Sequence, residues 1–253
     1  MKTYQLFQIE DFPEIALGKP NTRKIQVDMF GDKQEIETTL YMQNPEFSKG
    51  IQQLRITSQV KHNAHGIFRT VIESRAETLE FLEYLEPVDF LSYYVPKKKL
   101  LVMQAPKLTC RGVVKNLKET KGTKIAELKV SFDKIMTLQD EYAGAYFREL
   151  TSRVKAAGLH GDQIQDDQLF KNFLKIGKLS CVIIPWKIGS LDTKVMITAV
   201  GGVVLTQEFG SLQKELELVL DVHKQLLVKI VKPVSKKKFD QNIGVDLETM
   251  FDD

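Results

Sequence analysis

Histidine is the side chain whose proton exchange lies nearest neutral pH, and this sequence contains four of them. His62 and His65 are three residues apart, but a metal site needs three or four ligands and no further His or Cys lies nearby. We interpret this pair as part of a solvated turn. His160 is interpreted as the histidine of a flexible loop. His223 is interpreted as a packing histidine on an apolar helix face rather than a general base.

Glu127 and Lys129 are a second candidate, because Glu-Leu-Lys matches the Glu-x-Lys element of metal-dependent nucleases. In that element a carboxylate holds the metal and a lysine stabilises the transition state. Strand alternation explains the pair equally well, since the neighbouring apolar residues would share the opposite face. No aspartate in a matching upstream strand accompanies the pair, so a metal-dependent nuclease is a distant alternative. The sequence predicts no catalytic residue, no metal site, no cofactor and no enzymatic activity.

Two lysine triplets are the candidate binding residues: Lys97, Lys98 and Lys99, and Lys236, Lys237 and Lys238. Clustered lysines contact phosphates, and we predict that these six bind the backbone of duplex DNA. The last stretch, residues 240–253, carries five acids and no base. A disordered end with no role is the favoured interpretation of this acidic tail, and the alternatives are that it competes for the basic surface or docks a partner.

Composition excludes several classes of protein. The chain has 253 residues, 43% of them hydrophobic and 27% charged, with a net charge of +3, which is typical of a folded soluble protein. Cys110 and Cys181 lie in apolar surroundings far apart, which indicates buried thiols in a reducing compartment. Neither a signal peptide nor about 18 consecutive apolar residues occurs. We therefore expect a cytoplasmic protein that is not inserted in a membrane.

The elements of the first half alternate between strand and helix patterns. Residues 76–85 have helical spacing and must stop before Pro87, and residues 62–66 indicate a hairpin turn. The lysine triplet 97–99 lies between two strand patterns. The predicted strands are 4–10, 54–61, 67–74, 89–95, 100–105 and 124–132, and the predicted helices are 76–85 and 109–118.

In the second half, apolar residues recur every four positions from Tyr142 to Val154, which predicts a helix over residues 140–157 capped by Gly158. A loop or hinge over 158–167 and a helix over 167–175 follow. Residues 178–209 contain a strand broken at Pro185 and a hairpin closed by Gly201 and Gly202, which lack the context of phosphate-binding glycines.

A final helix over residues 211–230 carries a heptad-like apolar seam. Internal packing is the favoured interpretation of this seam, and a dimer or partner contact is the alternative. The seam consists of Leu212, Leu216, Val219, His223, Leu226 and Ile230.

These patterns predict an α+β fold in two parts. The first, residues 1–137, is an antiparallel β-rich α+β unit. The second, residues 138–239, contains helices around a β-hairpin, and residues 240–253 form the acidic tail.

The order of elements in the second half resembles the phage-exclusion DNA-binding sensor family typified by lambda RexA. The residues that carry the resemblance are Leu179, Ile183-Ile184-Pro185, Trp186-Lys187, residues 195–199 and residues 202–206, with residues 90–95, 100–105 and 110–117 in the first half. The resemblance implies a cytoplasmic, homodimeric DNA-binding sensor of a prophage or anti-phage defence system that acts with a separate membrane effector. The alternative is an assembly or interaction protein of a phage or mobile element that binds a protein partner through the final helix or acidic tail.

Overall fold

The computed structural model describes residues 1–29, 31–48, 50–72, 75–189 and 191–227, and only the backbone within residues 64–82. The strands are β1 (Lys2–Asp11), β2 (Asn21–Met29), β3 (Asp32–Ser48), β4 (Ile51–Ile72), β5 (Arg75–Val95), β6 (Leu100–Met103), β7 (Lys124–Glu127), β8 (Gly144–Arg148), β9 (Ala156–His160), β10 (Lys178–Ile188), β11 (Leu191–Thr198) and β12 (Gly202–Leu205). Antiparallel pairing joins these strands into one sheet, in the order β2-β3-β4-β5-β6-β1-β12-β11-β10-β8-β9, and β7 pairs with β1 off this path.

The helices cover the two faces of this sheet unequally. They are α1 (Lys107–Lys118), α2 (Phe132–Leu138), α3 (Gln168–Ile176) and α4 (Leu212–Val222), and α4 continues into a π-helical turn, His223–Leu227. On one face α1 packs on β1, β3, β4 and β7. On the other face, α3 and α4 share a core with β8, β10, β11 and β12. The chain is thus an α+β protein dominated by antiparallel sheet, as expected.

Strand β1 lies in the middle of the sheet and belongs to both cores. Tyr4 and Leu6 pack in the larger core, while Phe7 and Ile9 pack in the smaller core under α1. This alternation follows from the period of two of a strand that is buried on both faces. Because β1 pairs with both β6 and β12, the expected division at residues 137 and 138 does not interrupt the sheet.

Several predicted elements agree with the structure. β1, α1, α3 and the two strands on either side of the first lysine triplet were all expected from the sequence. Asp167 and Ser211 cap α3 and α4 by accepting hydrogen bonds from the backbone N–H groups of Leu169 and Lys214.

The predicted strands over 54–61 and 67–74 both fall in β4, which runs to Ile72, but the predictions for the residues between and after them were wrong. The polar residues 62–66 mark a bulge between Asn63 and Gly66 within β4, not a hairpin turn. The predicted helix over 76–85 is instead part of β5, paired residue by residue with β4 from Ile72↔Arg75 onward. Cross-strand pairing has overridden the local helical spacing.

The predicted helix over residues 140–157 was also wrong. Residues spaced by four recur on one face of a helix, but they also recur on one face of a strand, because four is a multiple of two. The segment forms β8, a turn in which the N–H of Thr151 donates to the carbonyl of Val154 at 2.9 Å, and the start of β9. Gly158, expected as a helix cap, and part of the expected loop lie in β9.

Two further segments were predicted only in part. The expected strand over 124–132 ends at Glu127, and Phe132 begins α2. The hairpin between β11 and β12 is confirmed, although residues 199–201 form the connection and Gly202 begins β12. Gly201 has a φ of 75°, and a Cβ there would lie 2.7 Å from the Cβ of Leu128, so both the conformation and the close approach require glycine.

Candidate functional site

The first candidate site is the lysine turn, Lys97–Lys99, which joins β5 to β6. Pro96, Lys97 and Lys98 form one 3-10 turn, and Lys99 closes it in the left-handed conformation with its N–H donating to the Pro96 carbonyl at 3.0 Å. All three lysines are exposed. No ion pair involves them among the residues that the structure describes. The hairpin tip expected from the sequence is therefore present.

The backbone of the lysine turn is attached to the central strand. The N–H of Ile9 donates to the carbonyl of Lys99 at 2.7 Å, and the side-chain amide of Gln8 donates to the carbonyl of Lys98 at 3.5 Å. These bonds fix the turn while leaving its ammonium groups in solvent. Its three positive charges are thus held on a rigid part of the sheet.

Some other cations in the described parts do have a carboxylate partner. The pairs are Lys2 with Glu215, Lys24 with Glu35 and Glu37, Arg55 with Asp89, Lys61 with Glu83, Arg111 with Glu127, Lys178 with Glu149, Lys187 with Asp192 and Lys194 with Asp162.

His223 lies close to the lysine turn but inside the core. Burial, and to a smaller extent the positive charge of Lys98, lower the pKa of His223 to about 4. Its Nδ1 atom has no hydrogen-bond partner within the described residues. A neutral, buried imidazole matches the predicted packing role. The effect of Lys98 also shows that the turn lies near the point where the described chain ends, at Leu227.

The heptad-like seam of the final helix packs within the chain. Leu216, Val219, His223 and Leu226 are buried, and Leu212 is partly buried against the same core. Because these side chains contact the sheet, the seam is not a surface for a second helix, and the dimer or partner interpretation is corrected. The sixth member, Ile230, lies outside the described residues.

The second candidate site is a groove of about 570 Å³ on the sheet face that α1 leaves open. Its floor is formed by β8, β9, β10 and β11, and the first residue of α1 lies at its rim. The residues that line the groove include Lys107, Tyr146, Arg148, Ser180, Met196 and Thr198. The opposite face of the same strands is covered by α3 and α4, so the groove is the exposed side of a rigid layer.

Two cations meet at this groove without a carboxylate partner among the described residues. Burial lowers the pKa of Lys107, and the positive charges of Arg111 and Arg148 lower it further against the opposing effect of Glu127. Arg111 is itself neutralised by Glu127, to which its Nε donates at 2.6 Å and its Nη2 at 2.8 Å. Lys107 and Arg148 are therefore like charges held close together.

The same contact decides the role of Glu127. Both of its oxygens accept from Arg111, and Lys129 is exposed beyond the end of β7. No group of three or more His, Cys, Asp or Glu side chains suited to a metal occurs among the described residues. Within the Glu-x-Lys element, Glu127 is thus engaged by Arg111, and Lys129 takes no part in that ion pair.

The remaining histidines are strand residues. His62 stacks on Tyr84 with ring centroids 4.9 Å apart and lies 2.7 Å from a carboxylate oxygen of Glu86, so the expected solvated turn is wrong. His160, expected in a flexible loop, ends β9 and meets the ring of Tyr146 edge-on at 5.2 Å.

The expected cysteine chemistry agrees with the structure. Cys110 and Cys181 are both buried free thiols, and burial raises the pKa of each to about 12. Both therefore stay protonated near neutral pH. The groove itself was not found from the sequence, because Lys107 and Arg148 carry no motif and meet only through the sheet.

Part of the predicted DNA-binding surface is not described. Lys236, Lys237 and Lys238, together with the acidic tail 240–253, lie outside the described residues. No known family model matches the chain, and no curated protein matches it with significance. None of the helices in the described ranges is both long and apolar enough to span a bilayer.

Proposed function

We propose that the chain is a non-enzymatic DNA-binding protein that contacts duplex phosphates through the lysine turn and the second lysine triplet. One observation carries the proposal: Lys97, Lys98 and Lys99 are adjacent, exposed and held in a single turn whose backbone is hydrogen-bonded to β1, so three positive charges are concentrated at one place. Free lysines release condensed counterions when they meet phosphates, which gives sequence-tolerant affinity.

The second triplet fits the same surface by chain length. Lys98 lies near His223, and Lys236 is nine residues beyond Leu227. An extended chain spans at most about 3.6 Å per residue, so this triplet is restricted to roughly 30 Å from the end of the described chain. The two clusters, distant in sequence, can therefore act on one DNA segment.

In its wider form the proposal makes DNA binding the input of a cytoplasmic, homodimeric sensor of a prophage or anti-phage defence system with a separate membrane effector. That wider form rests on the resemblance described above. The competing assembly role loses its helix-seam contact, because the seam is buried. The assembly role could still use the acidic tail, and deleting residues 240–253 distinguishes the two roles. If the tail competes with DNA, the deletion should tighten DNA binding. If the tail docks a protein partner, the deletion should leave DNA binding unchanged.

The decisive experiment is a salt titration of binding to a labelled duplex, read by fluorescence anisotropy. The variant K97Q/K98Q/K99N should lose about tenfold in affinity at low salt and lower the slope of log affinity against log salt by about 2 to 3. Asparagine is used at position 99 because it tolerates the left-handed conformation.

The matched control is K115Q/K118Q/K121Q, which removes three exposed lysines in and just beyond the last turn of α1. We expect it to change the affinity by less than about threefold, since only the general field changes. Equal losses in the two variants would show that the lysine turn is not the interface. Absence of wild-type binding at low salt would exclude the proposed function.

A further inference from the structure

We propose that the groove binds a mononucleotide-sized ligand, with its phosphate between Lys107 and Arg148 and its base against Tyr146 and Met196. This site is separate from the lysine turn and does not depend on DNA binding. Three properties of the groove favour such a ligand: its unneutralised charge, its apolar floor and its size.

The charge indicates an anion. Lys107 and Arg148 repel each other, and the nearby carboxylates are engaged elsewhere: Glu127 binds Arg111, and Glu149 binds Lys178. Arginine and lysine together form a common phosphate contact, the first by a planar fork and the second as a point charge. A bound phosphate would neutralise two positive charges that have no carboxylate partner in the described chain.

The floor indicates a flat apolar group. Tyr146 lies opposite Gly158 in the sheet register, and a Cβ at position 158 would lie 3.0 Å from the Tyr146 ring. Glycine thus lets the ring pack directly over β9, where His160 braces its edge. Met196, also partly exposed, lines the same groove. Aromatic and thioether groups at such a surface suit the stacking of a base.

The hydroxyl groups of the floor are already engaged. The Oγ of Ser180 donates to the carbonyl of Tyr146 at 3.0 Å, and the Oγ1 of Thr198 accepts from the N–H of Gly202 at 2.9 Å. The cations therefore supply the polar recognition at the rim. This separation of a charged end from an apolar floor matches the two ends of a nucleotide.

The size excludes a bare anion as a full occupant. A groove of about 570 Å³ lies within the range of roughly 300–1,000 Å³ that holds small organic ligands. Inorganic phosphate would contact only the cations and leave the floor empty. The proposal thus predicts that AMP binds more tightly than either of its parts.

The test is isothermal titration calorimetry of the full chain with AMP, adenosine and inorganic phosphate as separate probes. We expect AMP to bind at least about tenfold more tightly than phosphate or adenosine. The variant K107Q/R148Q should lose about tenfold or more in AMP affinity, while K115Q/K118Q should retain it. Y146L should weaken AMP binding but leave the binding of phosphate unchanged, which separates the floor from the cations.

Far-UV circular dichroism and thermal unfolding verify that each variant is folded. K97Q/K98Q/K99N should bind AMP as the wild type does, so failure of DNA binding and failure of the groove are distinguishable. A single-stranded oligonucleotide is titrated as a further arm. Absence of AMP binding at millimolar concentration would overturn the proposal, even if the oligonucleotide bound, and so would AMP affinities unchanged in K107Q/R148Q.

Discussion

The lysine turn and the groove are both positively charged, but they hold their charges in different surroundings. In the lysine turn, Lys97–Lys99 project into solvent from a backbone fixed to β1. In the groove, Lys107 is partly buried and close enough to Arg148 for the two charges to disfavour each other. Water and salt screen exposed charges strongly and partly buried ones less. The first region thus suits a long polyanion, and the second suits a small ligand that fills a concave surface.

The largest effect is expected from the scaffold that the two regions share. Glu215 of α4 is buried and accepts hydrogen bonds from Lys2 at 2.7 Å and from the Tyr4 hydroxyl at 2.6 Å, which ties α4 to β1. Glu215→Ala leaves the Tyr4 hydroxyl without its partner. We expect a loss of about 3 kcal/mol in the free energy of unfolding, measured by urea titration.

Glu217→Ala is the control for this change, because Glu217 is exposed on the same helix. It should alter stability by less than about 0.5 kcal/mol. Equal stability of the two variants would contradict the role assigned to Glu215. A weakened scaffold should reduce DNA binding and AMP binding together, whereas the site variants above should separate them.

The next effect concerns the buried histidine beside the lysine turn. His223 has a pKa of about 4 in the folded chain, against about 6.5 when unfolded. Between these values the unfolded chain binds a proton that the folded chain does not, so this term lowers stability as pH falls from about 6.5 towards 4. His223→Leu removes the term. The free energy of unfolding of His223→Leu, relative to that of the wild type, should therefore be higher at pH 4 than at pH 7.5. We expect this increase to be at most about 3 kcal/mol.

Urea unfolding at the two pH values measures this prediction. Lys98→Gln should shift the same pH dependence in the same direction but by less, because burial contributes more than Lys98 to the lowered pKa of His223. Lys118→Gln, an exposed lysine of α1, is the matched control. An identical pH dependence in the wild type and His223→Leu would show that His223 is not the group responsible.

The smallest effect is expected at the edge of the groove. Glu127→Gln removes the charge that neutralises Arg111, so the potential at Lys107 and Arg148 becomes more positive. We expect calorimetry to show that AMP binds about threefold more tightly to this variant. Fluorescence anisotropy should show an unchanged affinity for duplex DNA. Glu119→Gln, an exposed acid just beyond α1, is the control. Tighter duplex binding by Glu127→Gln alone would mean that the two regions are one surface.

The lysine turn was predictable from sequence because its determinants are local. Pro96, the adjacent lysines and two flanking strand patterns lie within a few residues of one another. Helix α3, expected over 167–175, also has a local determinant, because the Asp167 side chain caps its first turn. Local turn and capping chemistry does not depend on the rest of the fold.

The groove and the long strands were not predictable, since their determinants are distant in sequence. Tyr142, Tyr146, Leu150 and Val154 have helical spacing, but only Tyr146 lies in β8, where pairing with β10 and β9 selects the strand. Lys107 and Arg148 belong to different elements, and only the sheet order brings them together. The glycine at position 158, read as a helix cap, was the one local sign of a ring packed over a strand.

The central place of β1 has a consequence for how the chain folds. Residues Lys2–Gln5 pair with β12, so this part of one edge of β1 stays open during synthesis until nearly the whole described chain has been made. Such long-range pairing slows folding, because a large loop must close before its contacts stabilise it. An open strand edge also invites pairing with other chains. Chains that stop before β12 should therefore aggregate rather than fold. Pairing of β12 with β1 is then the event that completes the native sheet.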